Sequence, residues 1–207
     1  MKVLLINGSP KARGCTYTAL NEVASALEND GIETEIFHVG TNPIRGCMAC
    51  GGCSTNNDMC VFSDDTVNIA LEKAKDADGF IFGSPVHYAG ASGQITSFLD
   101  RFFYAGNSFQ YKPGAAIVSC RRGGSTAAFE QLNKYFTISN MPVVSSQYWN
   151  MVHGNTPEEV KQDLEGMQTM RTLGKNMAWL LKCINAGKET GVTLPEKEQR
   201  AVTNFIR

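Results

Sequence analysis

The sequence has no uninterrupted apolar run of about 18 residues, the length a membrane-spanning helix needs. It has no block of basic residues, and its formal net charge is −1. Nucleic acid and anionic membrane are therefore not expected as main partners. No signal peptide is expected at the start, where Met1-Lys2 leads directly into an apolar strand pattern. Disulfide pairing is not expected either, because the seven cysteines are an odd number in a chain without an export signal. In a reduced, cytoplasmic protein they are ligands, reactive thiols or core. What remains is ample for one domain: 207 residues, 43% of them hydrophobic, can bury a full core.

The chain is organised around its first sixteen residues. Val3 to Ile6 is a short apolar run suited to a strand buried on both faces. Asn7-Gly8 breaks it, a polar loop follows, and Thr16, Leu20, Val23 and Leu27 then recur at helical spacing. A strand, a loop and a helix N-terminus make an anion site, because unpaired amides and the positive end of the helix dipole point at one place. Ser9 and Thr16 add hydroxyls, and Lys11 and Arg13 add charge suited to a phosphate monoester. An ordinary polar first turn is the competing reading of this stretch.

Downstream, strands and helices alternate. Gly31 stops the first helix and Ile32 to Phe37 is strand two. Residues 38–62 form a long loop. Ser63 is expected to N-cap a helix through about Lys75, with Val67, Ala70, Leu71 and Ala74 facing inward. Gly79 to Phe82 is strand three, ending abruptly at Gly83-Ser-Pro85. A helix from about Ala91 to Tyr104 carries Ile95, Phe98, Leu99 and Phe102. Ala115 to Val118 is strand four, and the next helix uses Phe129, Leu132 and Phe136. Pro142 to Ser145 opens strand five, which runs on towards Asn150. Thr156-Pro-Glu-Glu159 is a capping box that starts one last helix. Its inward stripe is Val160, Leu164, Met167, Met177, Leu181 and Ile184; Gly166 and Gly174 mark close packing or a bend, and Gly187 can close it.

Such alternation predicts a doubly wound α/β domain with a parallel sheet and helices on both faces. Ligands then sit at the carboxyl ends of the strands. The loops Ser9–Thr16, Ser84–Gly90, Ser119–Gly124 and Gln147–Gly154 all follow strands, so they share one edge.

Three stretches carry a resemblance: Gly8-Ser-Pro-Lys with Cys15-Thr16; Gly83-Ser-Pro-Val-His-Tyr88 with Ser92-Gly93 and Phe98-Leu-Asp-Arg101; and Ser119-Cys-Arg-Arg-Gly-Gly-Ser125. Together they resemble the flavodoxin-like NAD(P)H-dependent FMN reductases. The spacing of Cys47, Cys50, Cys53 and Cys60 is similar to the iron–sulfur flavoprotein branch. The resemblance covers Met1 to about Gly154 and implies a flavodoxin-like five-stranded sheet in the order 2-1-3-4-5; the FMN-binding domain is expected over residues 1–187. The cysteine-rich loop 46–62 is then an insertion after strand two, and residues 188–207 are a C-terminal extension. It also implies bound FMN, NAD(P)H as co-substrate, and a homodimer or homotetramer.

Residue by residue, the FMN phosphate is expected in the Ser9, Lys11, Arg13, Gly14, Cys15 and Thr16 loop. Cys15 departs from the Asn or Ser common before the Thr in relatives; at a helix N-terminus it tends towards a reactive thiolate when the site is empty, or is merely a small tolerated side chain. Ser84, Pro85, Val86, His87 and Tyr88 run along the isoalloxazine edge, where His87 or Tyr88 offers an aromatic face. Ser119, Arg121, Arg122, Gly123 and Gly124 lie at the pyrimidine edge, where positive charge stabilises reduced flavin. His87 and Arg121 are the candidates for a direct catalytic role, the reactive centre being flavin N5. Asp100 and Arg101 are assigned to helix packing. Trp149, Asn150 and His153 wall the pocket or form a subunit contact, and Cys120 and Cys183 are core or incidental.

Cys47-x2-Cys50-x2-Cys53-x6-Cys60 lies on a glycine-rich loop at the same edge. Its metal-ligand spacing leaves three outcomes open: a [4Fe-4S] cluster, a zinc knot, or free thiols. Two functions follow. One is an FMN-dependent oxidoreductase passing hydride from NAD(P)H to a quinone, flavin, azo, nitro or metal-centre acceptor. The other is an iron–sulfur flavoprotein exchanging electrons with a redox protein of the ferredoxin type. The near-neutral charge and the Arg pair favour the first.

Overall fold

The computed structural model describes residues 1–106, 109–199 and 201–203. Among the described residues, six strands and six α-helices follow one another as β1 (Lys2–Asn7), α1 (Cys15–Asn29), β2 (Glu33–His38), α2 (Val67–Lys75), β3 (Gly79–His87), β4 (Gly90–Ala91), α3 (Gly93–Ala105), β5 (Gly114–Cys120), α4 (Ser125–Ile138), β6 (Met151–His153), α5 (Pro157–Gln162) and α6 (Leu164–Glu189). The parallel path is β2-β1-β3-β5-β6, with two-residue β4 pairing antiparallel with the end of β3. With β4 set aside, the five parallel strands stand in the expected flavodoxin-like order.

Strand pleat divides the core into two layers. Leu4 and Ile6 of β1 and Phe80 and Phe82 of β3 face α2, α3 and α4, joined by Phe98, Phe102 and Phe136. Val3, Leu5 and Ile81 face the other way, against Leu20, Val23 and Leu27 of α1 and Met170, Leu173 and Met177 of α6. Alternation along a strand buried on both faces requires this split. Phe82 stacks on Phe136 at 5.2 Å and 8°, so the first layer is largely aromatic. No helix among the described residues is long and apolar enough to cross a membrane.

Several local expectations need correction. α2 begins at Val67, not after Ser63. Asp65 turns inward onto Arg101 and accepts from the Val67 amide. β3 does not stop at Gly83 but runs to His87. Its pairing with β1 ends at Gly83 while pairing with β5 continues to Pro85, so Pro85 sits where one side of the strand needs no amide donor.

The fifth parallel strand is Met151–His153. The chain first touches β5 through a bridge at Val143, where the Val144 amide donates to the Gly114 carbonyl at 2.8 Å. It then bows out and returns. Over the bow, buried Asn150 donates from Nδ2 to the Ala116 carbonyl at 3.1 Å, taking the place of a strand partner.

The last helical stretch is two helices. Thr156 accepts from the Glu159 amide as foreseen, but α5 ends at Gln162 and Asp163 caps a new helix by accepting from the Gly166 amide at 3.0 Å. Leu164 is consequently exposed. α6 passes Gly187 and closes at Gly191, whose φ of +88° permits amides 191 and 192 to bond back to carbonyls 188 and 187. It therefore overruns the expected domain edge at 187 by two residues. Part of the expected extension, residue 200 and residues 204–207, lies outside the described residues.

Gly174 is a packing glycine: a Cβ there would lie 2.7 Å from Ala26 Cβ and 2.8 Å from the Val23 carbonyl. Gly187 has no neighbour nearer than 3.7 Å. Gly174→Ala is expected to cost about 1–3 kcal/mol, while Gly187→Ala gains about 0.5–1 kcal/mol through helix propensity. Urea unfolding of the two variants checks the opposite signs.

Candidate functional site

At the carboxyl edge of the sheet the loops enclose a cleft of about 210 Å³, lined by residues that include Ser9, Lys11, Cys15, Thr16, Pro85, Val86, His87, Ser119 and Arg121. Residues from β1, β3, β5 and β6 exits meet there, since Gly154 and Asn155 complete the wall. The predicted loops thus do converge.

The floor is built by hydroxyls and free helix amides. Thr16 and Ser119, both buried, share a hydrogen bond at 2.8 Å. α1 starts at Gly14, which has no side chain to cap the first turn. The first-turn amides of Cys15, Thr16 and Tyr17 precede the first intrahelical bond, from the Thr18 amide to the Gly14 carbonyl at 3.0 Å. An uncapped helix start with hydroxyls and Lys11 beside it has the donor set of an anion site. The loop is shaped by groups that sequence reasoning overlooked. Asn7 accepts from the Ser9 amide at 3.1 Å and donates to the Ala12 carbonyl at 3.2 Å. His38 Nε2–H donates to the Ser9 carbonyl at 2.8 Å, and Ser92 Oγ–H donates to the Gly8 carbonyl at 3.0 Å. In sequence Asn7 marks only the end of a strand; its burial between two polar partners leaves no periodic signal.

The β3–β4 hairpin supplies the facing wall. Tyr88 and Ala89 both take positive φ, 49° and 60°, in a two-residue turn of the kind that favours Asn-Gly. The tip is braced by α4: Gln131 accepts from the Ala91 amide at 3.1 Å. Gly124, with φ of +92°, lies so close that a Cβ would fall 2.5 Å from Ala89 Cα. α4 likewise begins without a side-chain cap.

Other candidates fall outside the cleft lining. Arg13 turns along α1, donating to Tyr17 Oη at 2.6 Å and lying over that ring. Tyr88 is fully exposed at the hairpin tip. Ser84 is buried in strand contacts, accepting from the Ser92 amide at 3.0 Å. Arg122 and Gly123 are exposed, and Gly14 and Gly124 act as helix starts. Of the residues expected to wall the pocket, Asn150 is buried against β5, and Trp149 and His153 are exposed outside the lining.

A family model described as NADPH-dependent FMN reductase matches residues 1–156. The chain belongs to that family. An iron-sulfur flavoprotein of Methanocaldococcus jannaschii is 34% identical over 193 residues, 89% of this chain and 99% of the relative. One from Archaeoglobus fulgidus is 31% identical, covering 86% of this chain and 95% of its own. Among solved structures, a WrbA-like flavodoxin from Agrobacterium tumefaciens superposes with a TM-score of 0.61 at 16% identity, over 88% of this chain and 97% of that one. This oxidoreductase therefore has the flavodoxin-like fold.

The cysteine loop of this FMN reductase family member lies apart from the cleft. Cys47, Cys50, Cys53 and Cys60 line one cavity of about 30 Å³ together with Phe62, Arg101 and Tyr104. That space suits a water, not an inorganic cluster. Among the described residues no three His, Cys, Asp or Glu side chains are placed to hold a metal ion. The thiols share a wall without forming a closed ligand set, so no step of the reaction is routed through them. Arg101 carries more than packing: its guanidinium, 2% exposed, pairs with Asp65 and reaches into this loop.

Cys15 does not behave as a helix-start thiolate. Burial pushes its thiol up, outweighing the downward pull of its own backbone amide and Lys11. Cys120 is pushed up in the same way. In flavin-free protein at neutral pH, iodoacetamide is therefore expected to label exposed Cys50 and Cys183 before Cys15 or Cys120. Time-resolved peptide mapping checks the order; Cys15 labelling first would restore the reactive reading.

Proposed function

We propose that the 210 Å³ cleft binds FMN and that the protein transfers hydride from NAD(P)H, through that flavin, to a small-molecule acceptor. The observation that carries the reading is the uncapped start of α1 beside the paired hydroxyls of Thr16 and Ser119. The donor set fits a phosphate monoester: three free amides, two or three hydroxyls and Lys11, with no carboxylate in the lining. FMN, when bound, supplies the two-electron centre that accepts and donates hydride.

The chain's own residues do the rest. Ser9, Thr16 and Ser119 orient the phosphate through hydroxyl bonds, and Lys11 balances its charge. Pro85, Val86 and His87 hold the ring edge on a hairpin that α4 braces. Arg121 and the uncapped start of α4 place positive potential where reduced flavin gathers negative charge. Cys15 contributes a small neutral side chain, its Sγ–H directed to the Gly154 carbonyl at 3.8 Å. The acceptor would be a quinone, a flavin, an azo or nitro compound, or a metal centre, taking its electrons from the flavin when FMN is bound. Exposed Tyr88 and Trp149 at the same edge support assembly as a homodimer or homotetramer that closes the cleft.

A second reading is electron transfer to a redox protein of the ferredoxin type. It is favoured by the four cysteines around one cavity and by the iron-sulfur names of the relatives. The near-neutral charge, −1 overall, and Arg121 at the cleft weigh towards the hydride reaction.

Thr16→Val keeps the shape and removes the hydroxyl. Losing one bond to a charged phosphate is worth about 1.5–3 kcal/mol, so FMN affinity is expected to fall about ten- to a hundredfold. Fluorescence titration of flavin-free protein measures this. Anaerobic stopped-flow mixing with NADPH or NADH is expected to bleach the bound flavin. A folded protein that ignores added FMN removes the whole reading, and one that binds FMN without bleaching by either nucleotide favours the electron-transfer alternative.

A further inference from the structure

Lys112 takes no part in the cleft. It lies at the opposite, amino end of the sheet, just before β5 begins at Gly114, and its side chain is half-buried. Nζ donates to the Ala77 carbonyl at 2.7 Å, just past the C-terminus of α2, and stands 5.8 Å from the centre of the fully buried Phe80 ring. A cation suits a helix C-terminus, yet an ammonium has three donors. Among the described residues only this one meets a protein acceptor, and no carboxylate forms an ion pair with it. The backbone holds the lysine in this place through Tyr111, whose φ of 65° is left-handed. The Tyr111 amide donates to the Asn140 carbonyl at 3.0 Å and the Lys112 amide to the Phe109 carbonyl at 3.1 Å.

Lys112 lines a cavity of about 210 Å³ whose wall includes Leu181 and Ile184 of α6 and Leu194 beyond it. At about 30 Å³ for each water-sized group, that is room for about seven. Two other charged residues line it, Asp78 and Lys188. Asp78 is already engaged, its Oδ2 accepting from the Lys2 amide at 2.8 Å. Lys188 is exposed in the last turn of α6. Burial pulls the Lys112 ammonium below the ordinary lysine range and Lys188 adds to the pull, against the opposing fields of Asp78 and Asp76. Two cations facing one engaged carboxylate leave a single positive charge in an apolar-walled space.

We propose that this cavity is a second binding site, taking a small amphipathic monocarboxylate. The carboxylate accepts from the two free donors of Lys112, and a short apolar chain lies against Leu181, Ile184 and Leu194, with Lys188 at the rim. Charge-assisted hydrogen bonds satisfy a desolvated ammonium better than any neutral group does. The apolar wall disfavours a strongly hydrated polyanion such as phosphate, and the positive balance rejects an amine. The site shares no lining residue with the flavin cleft, so the proposal is independent of the flavin reading.

The test is an NMR chemical-shift titration of the protein as purified with sodium hexanoate at millimolar concentrations, with FMN titration alongside. Hexylamine, 1-hexanol and inorganic phosphate serve as comparison probes. Saturable shifts confined to residues 110–113 and 181–194 are expected with hexanoate and with none of the other three. Lys112→Met keeps the length of the side chain and removes the charge, and is expected to weaken hexanoate about tenfold or more, with FMN affinity unchanged within about twofold. Because that variant leaves the Ala77 carbonyl without its donor and can unfold the chain, Leu194→Glu accompanies it. This substitution at an exposed position adds a competing carboxylate and is expected to weaken hexanoate several-fold. Wild-type protein without saturable hexanoate shifts would overturn the site, as would wild-type affinity in folded Lys112→Met or in Leu194→Glu. Equal binding of 1-hexanol, or binding of phosphate in place of hexanoate, would overturn the ligand class. FMN binding stands or falls separately in each case.

Discussion

How closely α1 can lie on the sheet decides whether there is a cleft at all. Gly83 in β3 has no side chain, and a Cβ there would fall 2.9 Å from both Thr16 Cγ2 and Leu20 Cδ1. Its absence lets the first turn of α1 settle onto β3, which brings Thr16 within 2.8 Å of Ser119 on β5. On the outer side Gly174 does the same for α6, with the Val23 carbonyl 2.8 Å from where its Cβ would be. α1 is therefore seated from both sides at a depth set by two missing methyl groups. A helix displaced outward by a methyl's width would part the two hydroxyls and turn the free amides away from the cleft. Packing in the core and chemistry at the edge are thus one constraint.

The opposite wall is held by strain and bracing. Non-glycine residues in the left-handed region cost on the order of 1–2 kcal/mol each, and Tyr88 and Ala89 occupy it in succession. That geometry persists because neighbours over-determine it: Gln131 ties down β4, Ser84 ties down Ser92, and Gly124 fills the space beneath Ala89. Pro85, with its fixed φ, leads into the turn from a strand paired on only one side. Pre-setting the wall in this way keeps ordering costs out of ligand binding.

Much of this was legible in the chain. The helical stripe of α1, the Gly31 stop and the strand–loop–helix start were all readable, because each depends on neighbours three or four residues apart. Gly31 indeed adopts φ of +79° and returns amides 31 and 32 to carbonyls 28 and 27. What escaped depends on distant partners. Nothing near Asp65 in sequence says that it faces Arg101, so Ser63 looked like a cap. Nothing near Pro85 says that β1 has already ended beside it, so β3 looked shorter. Asn150 stands in for a strand because Ala116 needs a donor, and Asp163 splits the last helix because the chain must turn from β6 to lie along α1. Arg13, Tyr88 and Arg122 were drawn into the site by proximity in sequence, whereas side-chain direction places them outside the cleft lining.

α3 ties the anion loop to the cysteine loop. Near its start, Ser92 donates to the Gly8 carbonyl in the anion loop, and Gln94 donates to the carbonyls of Gly40 and Asn42 where the long loop leaves the sheet. Further along, Arg101 reaches Cys60 and Asp65. Nine residues of helix separate Ser92 from Arg101, about 14 Å along the axis. A buried ion pair is weak evidence for stability, since desolvation offsets most of the attraction; burial works against the Arg101 charge, and Asp65 and Cys60 more than restore it. Its physical value here lies in geometry. Both contacts are made by side chains projecting from one rigid element whose apolar face, Ile95, Phe98, Leu99 and Phe102, is fully buried. Cys60 therefore stands at a fixed separation from the anion loop.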